Sequence, residues 1–288
     1  MATQKLGWRG IALSIIGAVL LIVGILWFTV IFPMLAQIPT DLDNTIYFDG
    51  NFTVLDQATG AMVRFPIEQI LVQKASGTQD GALFIHETYT MKNVATGDEV
   101  TANYIEQTLA VDRKTLDIVT NIDEQHRLGY WSPPRGLGDG DSFDLWDPGP
   151  HQALKATYVK DDTFRGLKVV IFKVDGKDIS LGSDPQSQLP LLMDTTINLT
   201  IDPKTGVVAD EEALTTISMS MGGQKVPVMI TYVRFAERTI VDLVDTARDN
   251  QGMLFWFQTV VPWLLVGIGA VLLILGVMLM IRKQRTMA

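Results

Sequence analysis

The chain has no cysteine, only three histidines, and two long stretches without a single charge. Without cysteine there are no disulfides and no Cys-x-x-Cys pair for metal or redox chemistry. His86, His126 and His151 are scattered, with no His-x-x-x-His spacing to gather ligands. Also missing are Gly-x-Ser-x-Gly and a Walker loop, which exclude the commonest hydrolase and nucleotide-binding signatures. Gly136, Gly138 and Gly140 stand at alternate positions but do not join a strand to a helix, so they make no dinucleotide fingerprint. With no visible constellation of acid, base and nucleophile, the sequence points away from an enzyme, and toward no metal and no cofactor.

The charge-free stretches are Ile11 to Phe32 and Met253 to Ile281. About 20 apolar residues span the roughly 30 Å of bilayer hydrocarbon as a helix, and isolated spans must be helical to bond their own backbone. Trp27, Trp256 and Trp263 stand near the span ends, where amphipathic rings favour the headgroup layer. Pro262 marks an interfacial turn or a mild kink. Lys5, Arg9, Arg282, Lys283 and Arg285 flank the outer ends, whereas no lysine or arginine occurs from Phe32 to Arg64. The positive-inside rule then places both termini in the cytoplasm and the middle outside, as a two-pass protein of the cytoplasmic membrane. A cleaved signal peptide is the alternative for the first stretch, but its apolar core is too long and "PMLAQ" is a poor cleavage site. Gly17 and Gly24, and Gly269 and Gly276, recur seven apart and predict that the spans pair. Neither span holds an ionisable group of the kind that pumps and proton relays use.

All 32 acidic residues lie between the spans. The middle is therefore strongly acidic, which disfavours nucleic acid as a partner. Period-two runs dominate it. In "ALFIHETYTM" (82–91) Leu83, Ile85, Tyr89 and Met91 alternate with His86, Thr88 and Thr90, and "TTINLTI" (195–201) alternates likewise. Such runs give about ten to twelve strands in one meander or barrel domain. "DQATG", "DRKTL" and "DPKTG" share Asp-x-x-Thr between strands, with Asp56, Thr59 and Gly60, Asp112 and Thr115, and Asp202, Pro203, Thr205 and Gly206 as turn residues. Leu116 replaces the closing glycine in the second copy, so that turn is expected to close differently. Asp175-Gly176 in "VDGKDI" predicts a further hairpin. Ile240, Leu243, Val244 and Ala247 fall on one helical face, with Thr239 and Asp242 near a capping-box spacing. These patterns divide the chain into a tail (1–10), a first transmembrane helix (11–32), an extracytoplasmic β-rich domain (37–252) holding an amphipathic helix (239–251), a second transmembrane helix (254–281) and a tail (282–288).

The order "VDRKT" (111–115), "GYWSPPRGLGDGDSFDLWD" (129–147), "FRGLKVVIFKV" and "IDPKTGVV" (201–208), framed by two spans, resembles the PorA-type prokaryotic cell-envelope family, sometimes labelled porin PorA. The resemblance covers most of the chain. It implies a membrane-anchored, mainly β (α+β) protein with an elongated β-barrel-like ectodomain, internal cavities and one crossing helix. Leu116 and the doubled Pro133-Pro134 depart from the family pattern.

Residues 127–150 remain. As a calcium loop they fail, because Phe143 takes a ligand slot between Asp141 and Asp144, and Pro150 stands where the closing glutamate belongs. Tyr130, Trp131, Phe143 and Trp146 could stack on a ligand or pin the segment onto the core; Trp146-Asp147 reads first as a structural corner. Arg113, Lys114, Arg127 and Arg135 concentrate positive charge there, for an anionic headgroup or for ordinary ion pairs. Met219, Met221 and Met229 could line a soft apolar cavity or simply fill the core. The candidate ligand residues are thus Arg113, Lys114, Arg127, Arg135, Tyr130, Trp131 and Trp146. The expected ligand is a membrane lipid or glycolipid, with a membrane-protein partner or a second copy as the alternative association, and a pore less favoured because the ectodomain strands lack a lipid-facing apolar band.

Overall fold

The computed structural model describes residues 2–32, 37–56 and 58–285. In chain order the elements are α1 (Ala2–Leu26), β1 (Asp43–Leu55), β2 (Met62–Gln79), β3 (Ala82–Asn93), β4 (Ile105–Asp112), β5 (Ser142–Asp147), β6 (Gln152–Phe164), β7 (Leu167–Ser183), β8 (Pro190–Ile201), β9 (Val208–Met221), β10 (Gln224–Phe235), α2 (Glu237–Phe255) and α3 (Val261–Arg285). They fall into two units, Ile38–Arg248 and the two terminal segments.

In the terminal unit, α1 and α3 are in close contact at their glycines. A Cβ on Gly17 would stand 2.6 Å from the Gly269 carbonyl oxygen, and one on Gly276 would stand 2.6 Å from the Ser14 nitrogen. Small residues in register bring the backbones together, as the spacing of seven predicts. A π-helical turn, Trp256–Val260, directly precedes α3. Proline lacks an N–H and crowds the carbonyl four residues back, so the wide turn just before Pro262 absorbs the misfit. A second π turn, Trp27–Ile31, follows α1, and the Trp27 indole N–H donates to the Phe257 carbonyl at 2.7 Å. The helical stretch Trp8–Ile31 and the one ending at Arg282 are each long and apolar enough to cross a membrane.

The β unit is one curled, half-barrel sheet of ten strands in the order β4-β3-β2-β1-β10-β9-β8-β7-β6-β5. It consists of two antiparallel meanders, β1 to β4 and β5 to β10, whose first and last strands pair through Phe48–Phe235 to Val54–Met229. Gly50 permits that seam, because a Cβ there would overlap the Tyr232 carbonyl oxygen. The outer edges, β4 and β5, are bridged by the chain between them. Ile118 bridges to Val111 of β4, Asp117 to Tyr130, and Tyr130 to Leu145 of β5. This strap, 116–131, covers both edges that would otherwise present unpaired backbone groups.

Helix α2 buries Thr239, Ile240, Val244 and Ala247, and its apolar face joins Phe48, Phe52, Leu71, Leu167 and Phe235 in the largest core cluster. A 3.6-residue period beside a curled sheet has this one way to bury its stripe. Thr239 is not a helix cap. Its hydroxyl donates to the Tyr47 carbonyl (3.0 Å) and accepts from the Tyr47 N–H (2.9 Å), clasping the helix to β1.

Two further expectations are corrected. Asp175-Gly176 is no hairpin: β7 runs through it as an irregularity in the β7–β8 register, and the turn comes at 184–189. The missing side chain of Gly176 is filled by Ile179, Thr195 and Leu154, and a Cβ would stand 2.6 Å from Ile179 Cδ1. Leu116 closes its turn as the glycines do. Its φ is +70°, beside +69° at Gly60 and +77° at Gly206. In each copy the residue four on from Asp donates its N–H to that Asp carbonyl. The Asp112 carboxylate fixes the turn by accepting from the N–H groups of Lys114 and Thr115 at 2.8 and 2.9 Å, and these bonds outweigh the strain at leucine.

Candidate functional site

Strand alternation sends every second side chain inward, and the inward sets of neighbouring strands stack in register. On β8, β9 and β10 this produces layers across the wall: Met193, Ile217 and Met229, then Thr195, Thr215 and Thr231, then Ile197, Ala213 and Val233. The threonine layer is hydrogen-bonded, with the Thr195 and Thr215 hydroxyls 3.0 Å apart. These residues and others from β1, β2, β3, β5 and α2 line a partly open cavity of about 540 Å³. That lies within the roughly 300–1,000 Å³ usual for small-molecule sites.

One side of the cavity ends in a fully bonded polar network. The buried Glu87 carboxylate accepts from Gln73 Nε2 (2.8 Å), Gln107 Nε2 (2.7 Å) and the Trp131 indole N–H (2.7 Å). Gln107 Oε1 in turn accepts from Arg127 Nη1 (3.1 Å) and the Trp146 indole N–H (3.2 Å). Arg127 pairs with buried Asp123 at 2.6 Å and donates to the Thr108 carbonyl. Burial works to raise the Asp123 pKa, but the bonds from Arg127 outweigh it and hold the carboxyl below its usual value. Every charge here is answered by N–H donors or by an opposite charge, as burial requires.

The other acids differ. Glu211 faces inward from β9, opposite Leu199 and two residues before Ala213. It has no hydrogen-bond or ion-pair partner among the described residues; the surface it retains opens on the cavity. Burial, and then the nearby Asp147 and Asp210 carboxylates, push its pKa up to about 7. Asp147, at the end of β5, is raised by burial to about 6, against the pull of one bond from the Gly149 N–H at 2.9 Å. Tyr89 lies in the same field, and burial followed by Glu87, Glu211 and Asp147 raises its phenol well above the usual value. The residues lining the cavity include three carboxylic acids and no lysine or arginine. Among the described residues, no group of three or more His, Cys, Asp or Glu side chains could hold a metal ion.

The seven residues singled out from the sequence separate. Trp131 and Trp146 line the cavity with their N–H groups committed to Glu87 and Gln107. Tyr130 is half-buried edge-on to Phe143, with ring centres 6.0 Å apart. Arg127 is interior. Arg113 donates to the Ile38 carbonyl at 2.8 Å, Arg135 donates to the Thr205 carbonyl at 3.3 Å, and the Lys114 side chain is exposed. The three arginines thus serve different partners, and none of the four basic residues lines the cavity. Among the turn residues, Thr59 and Thr205 donate to Asp56 and Asp202 at 2.7 and 2.6 Å. Sequence reasoning missed Glu87 and Glu211, although each occupies the inward phase of its strand.

The porin PorA family profile matches residues 10–278. The chain belongs to the Porin PorA family. No curated protein matches it. Among solved structures it is similar to an exported protein with a YmcC-like fold from Bacteroides fragilis, at 12% identity over 67% of this chain and 95% of that chain, with a TM-score of 0.29. Another is DynF of the dynemicin biosynthesis pathway of Micromonospora chersina, at 10% identity over 69% and 81%, with a TM-score of 0.23. At these scores the likeness carries no argument. Family membership and the curled β sheet agree with the resemblance drawn from the motif order.

Proposed function

We propose that this PorA-family protein is a non-enzymatic, two-pass protein of the cytoplasmic membrane in a cell envelope, whose outward β domain binds the apolar portion of an amphiphile such as a lipid or glycolipid. The single observation behind this reading is the cavity of about 540 Å³, walled by Met193, Ile197, Ile217, Met229 and Val233 and ended by polar groups. A concave, mainly apolar lining around a space of this size, with a few polar groups at one end, is the usual form of a small-molecule site. The anchoring rests on the two apolar helices and the basic residues outside them. Organic extraction of the protein purified from native membranes, followed by mass spectrometry, is expected to release a near-stoichiometric amphiphile. Protein that carries none, and takes none up, counts against it.

A second reading, a pore, is favoured by the family label alone. The glycine contacts leave no room for water between α1 and α3, so conduction would need several copies. Single-channel recordings in planar bilayers are expected to be silent, and discrete conductance steps would replace the first reading with this one. A scaffold role predicts instead a stoichiometric protein partner in pull-downs from native membranes.

A further inference from the structure

We propose that the cavity selects a ligand whose apolar body carries a cationic nitrogen, with Glu211 and Asp147 as its counter-charge. This rests on the ligand-binding reading above and narrows it to a chemical class. Among the described residues, three with carboxyl groups line the cavity and none with a basic side chain does. Glu87 is spent on three donors from its own protein. Asp147 accepts a single backbone N–H, and half-buried Glu211 lines the cavity with no hydrogen-bond or ion-pair partner among the described residues. An enclosed carboxylate without a counter-charge is costly, and two near each other are costlier still. A cation entering the cavity removes both costs, whereas a phosphate or carboxylate adds to them. The neighbouring aliphatic and methionine walls take the rest of the molecule.

The field around Glu211 supports this from each side. Asp210 and Glu212, its neighbours on β9, are answered on the other face by Arg234 and Tyr232 of β10. Tyr89 of β3 and Asp147 of β5 face it from across the cavity, and neither brings positive charge. No lysine or arginine among the described residues lining the cavity supplies a counter-charge to the ionised pair, and a bound cation would supply it.

The test uses the full chain in phosphatidylcholine nanodiscs, with empty nanodiscs subtracted, titrated calorimetrically with octylamine, octanol and octanoate at pH 8. The expected order is octylamine at least tenfold tighter than octanol, with octanoate weakest. In the Glu211→Gln, Asp147→Asn double variant the amine preference is lost while octanol binding persists, which also reports that the variant is folded. At pH 5 the wild-type preference shrinks, because protons occupy the pair. Octanol binding without amine preference, or a preference that survives in the double variant, overturns this inference and leaves the ligand-binding reading intact. If none of the three binds, both are overturned.

Discussion

Glu87 and Glu211 face the interior of the same sheet, and they are opposite in kind. Glu87 meets three N–H donors and is linked through Gln107 to the Arg127–Asp123 pair. Glu211 meets apolar neighbours and other acids. A fold retains an inward-facing acid either because its own groups answer it or because something else does. The first arrangement holds two edges of a sheet together, since its members come from β2, β3, β4, the strap and, through Trp146, β5. The second costs the unliganded chain stability once the acid ionises.

The sharpest way to break this contrast is to orphan a charge on the answered side. Arg127→Met leaves Asp123 buried without its cation and is expected to cost about 3–5 kcal/mol. Denaturant unfolding of the detergent-solubilised chain measures it. Adding Asp123→Leu removes the orphan and recovers most of the loss; if the double variant stays as weak as the single, the network is not what holds the strap.

Glu211→Gln is expected to act in the other direction and with less force. The folded chain holds the Glu211 proton up to about pH 7, against an ordinary value of 4.5. Its contribution to stability is therefore complete below about pH 4.5 and is lost as the pH rises through 7. Asp123 is the mirror case: with a depressed pKa, its contribution is present above the ordinary carboxylate range and lost in stronger acid. At pH 8 the glutamine variant should exceed the wild type by about 2 kcal/mol, from roughly 1.4 kcal/mol for each tenfold change in proton affinity and a discount for water in the cavity. At pH 4 the two should be equal. A variant no more stable at pH 8 would mean that Glu211 is already answered.

Both acids were legible in part. Glu87 stands in phase with Leu83, Ile85, Tyr89 and Met91, and Glu211 with Ala213, Thr215 and Ile217. A charge in the apolar phase of a period-two run is the signal, and attention to the apolar members alone passes over it. The turns show the same partial legibility. Asn93 and Asp184 build the turn of Asp56, Asp112 and Asp202, accepting from the N–H groups four residues on, but with Asn for Asp or Ser for Thr the pattern is harder to recognise. What local sequence does not carry is the β1–β10 seam, the strap that joins β4 to β5, and the meeting of Asp147 with Glu211. Each depends on residues far apart along the chain, and at the seam on the close approach that Gly50 permits. Arg113, Lys114, Arg127 and Arg135 were close in sequence, and the fold sends them to different partners.

The smallest expected effect concerns the strap that carries the answered network. It begins at Leu116, whose carbonyl accepts from the Trp131 N–H at 2.9 Å and whose φ is +70°. A Cβ in this conformation is crowded by the carbonyl oxygen that follows, at a cost of about 1–2 kcal/mol. Glycine removes that cost but adds freedom to the unfolded chain, worth up to about 1 kcal/mol in the opposite sense. Leu116→Gly should therefore stabilise the chain by no more than about 1 kcal/mol at both pH 4 and pH 8, since the substitution neither adds nor removes an ionisable group and leaves the Asp112 bonds in place. In an Arg127→Met background the strap is already loosened, so less strain is there to relieve and the gain should shrink. Equal gains in the two backgrounds would mean that the turn is held by the Asp112 bonds alone, independently of the interior it closes over.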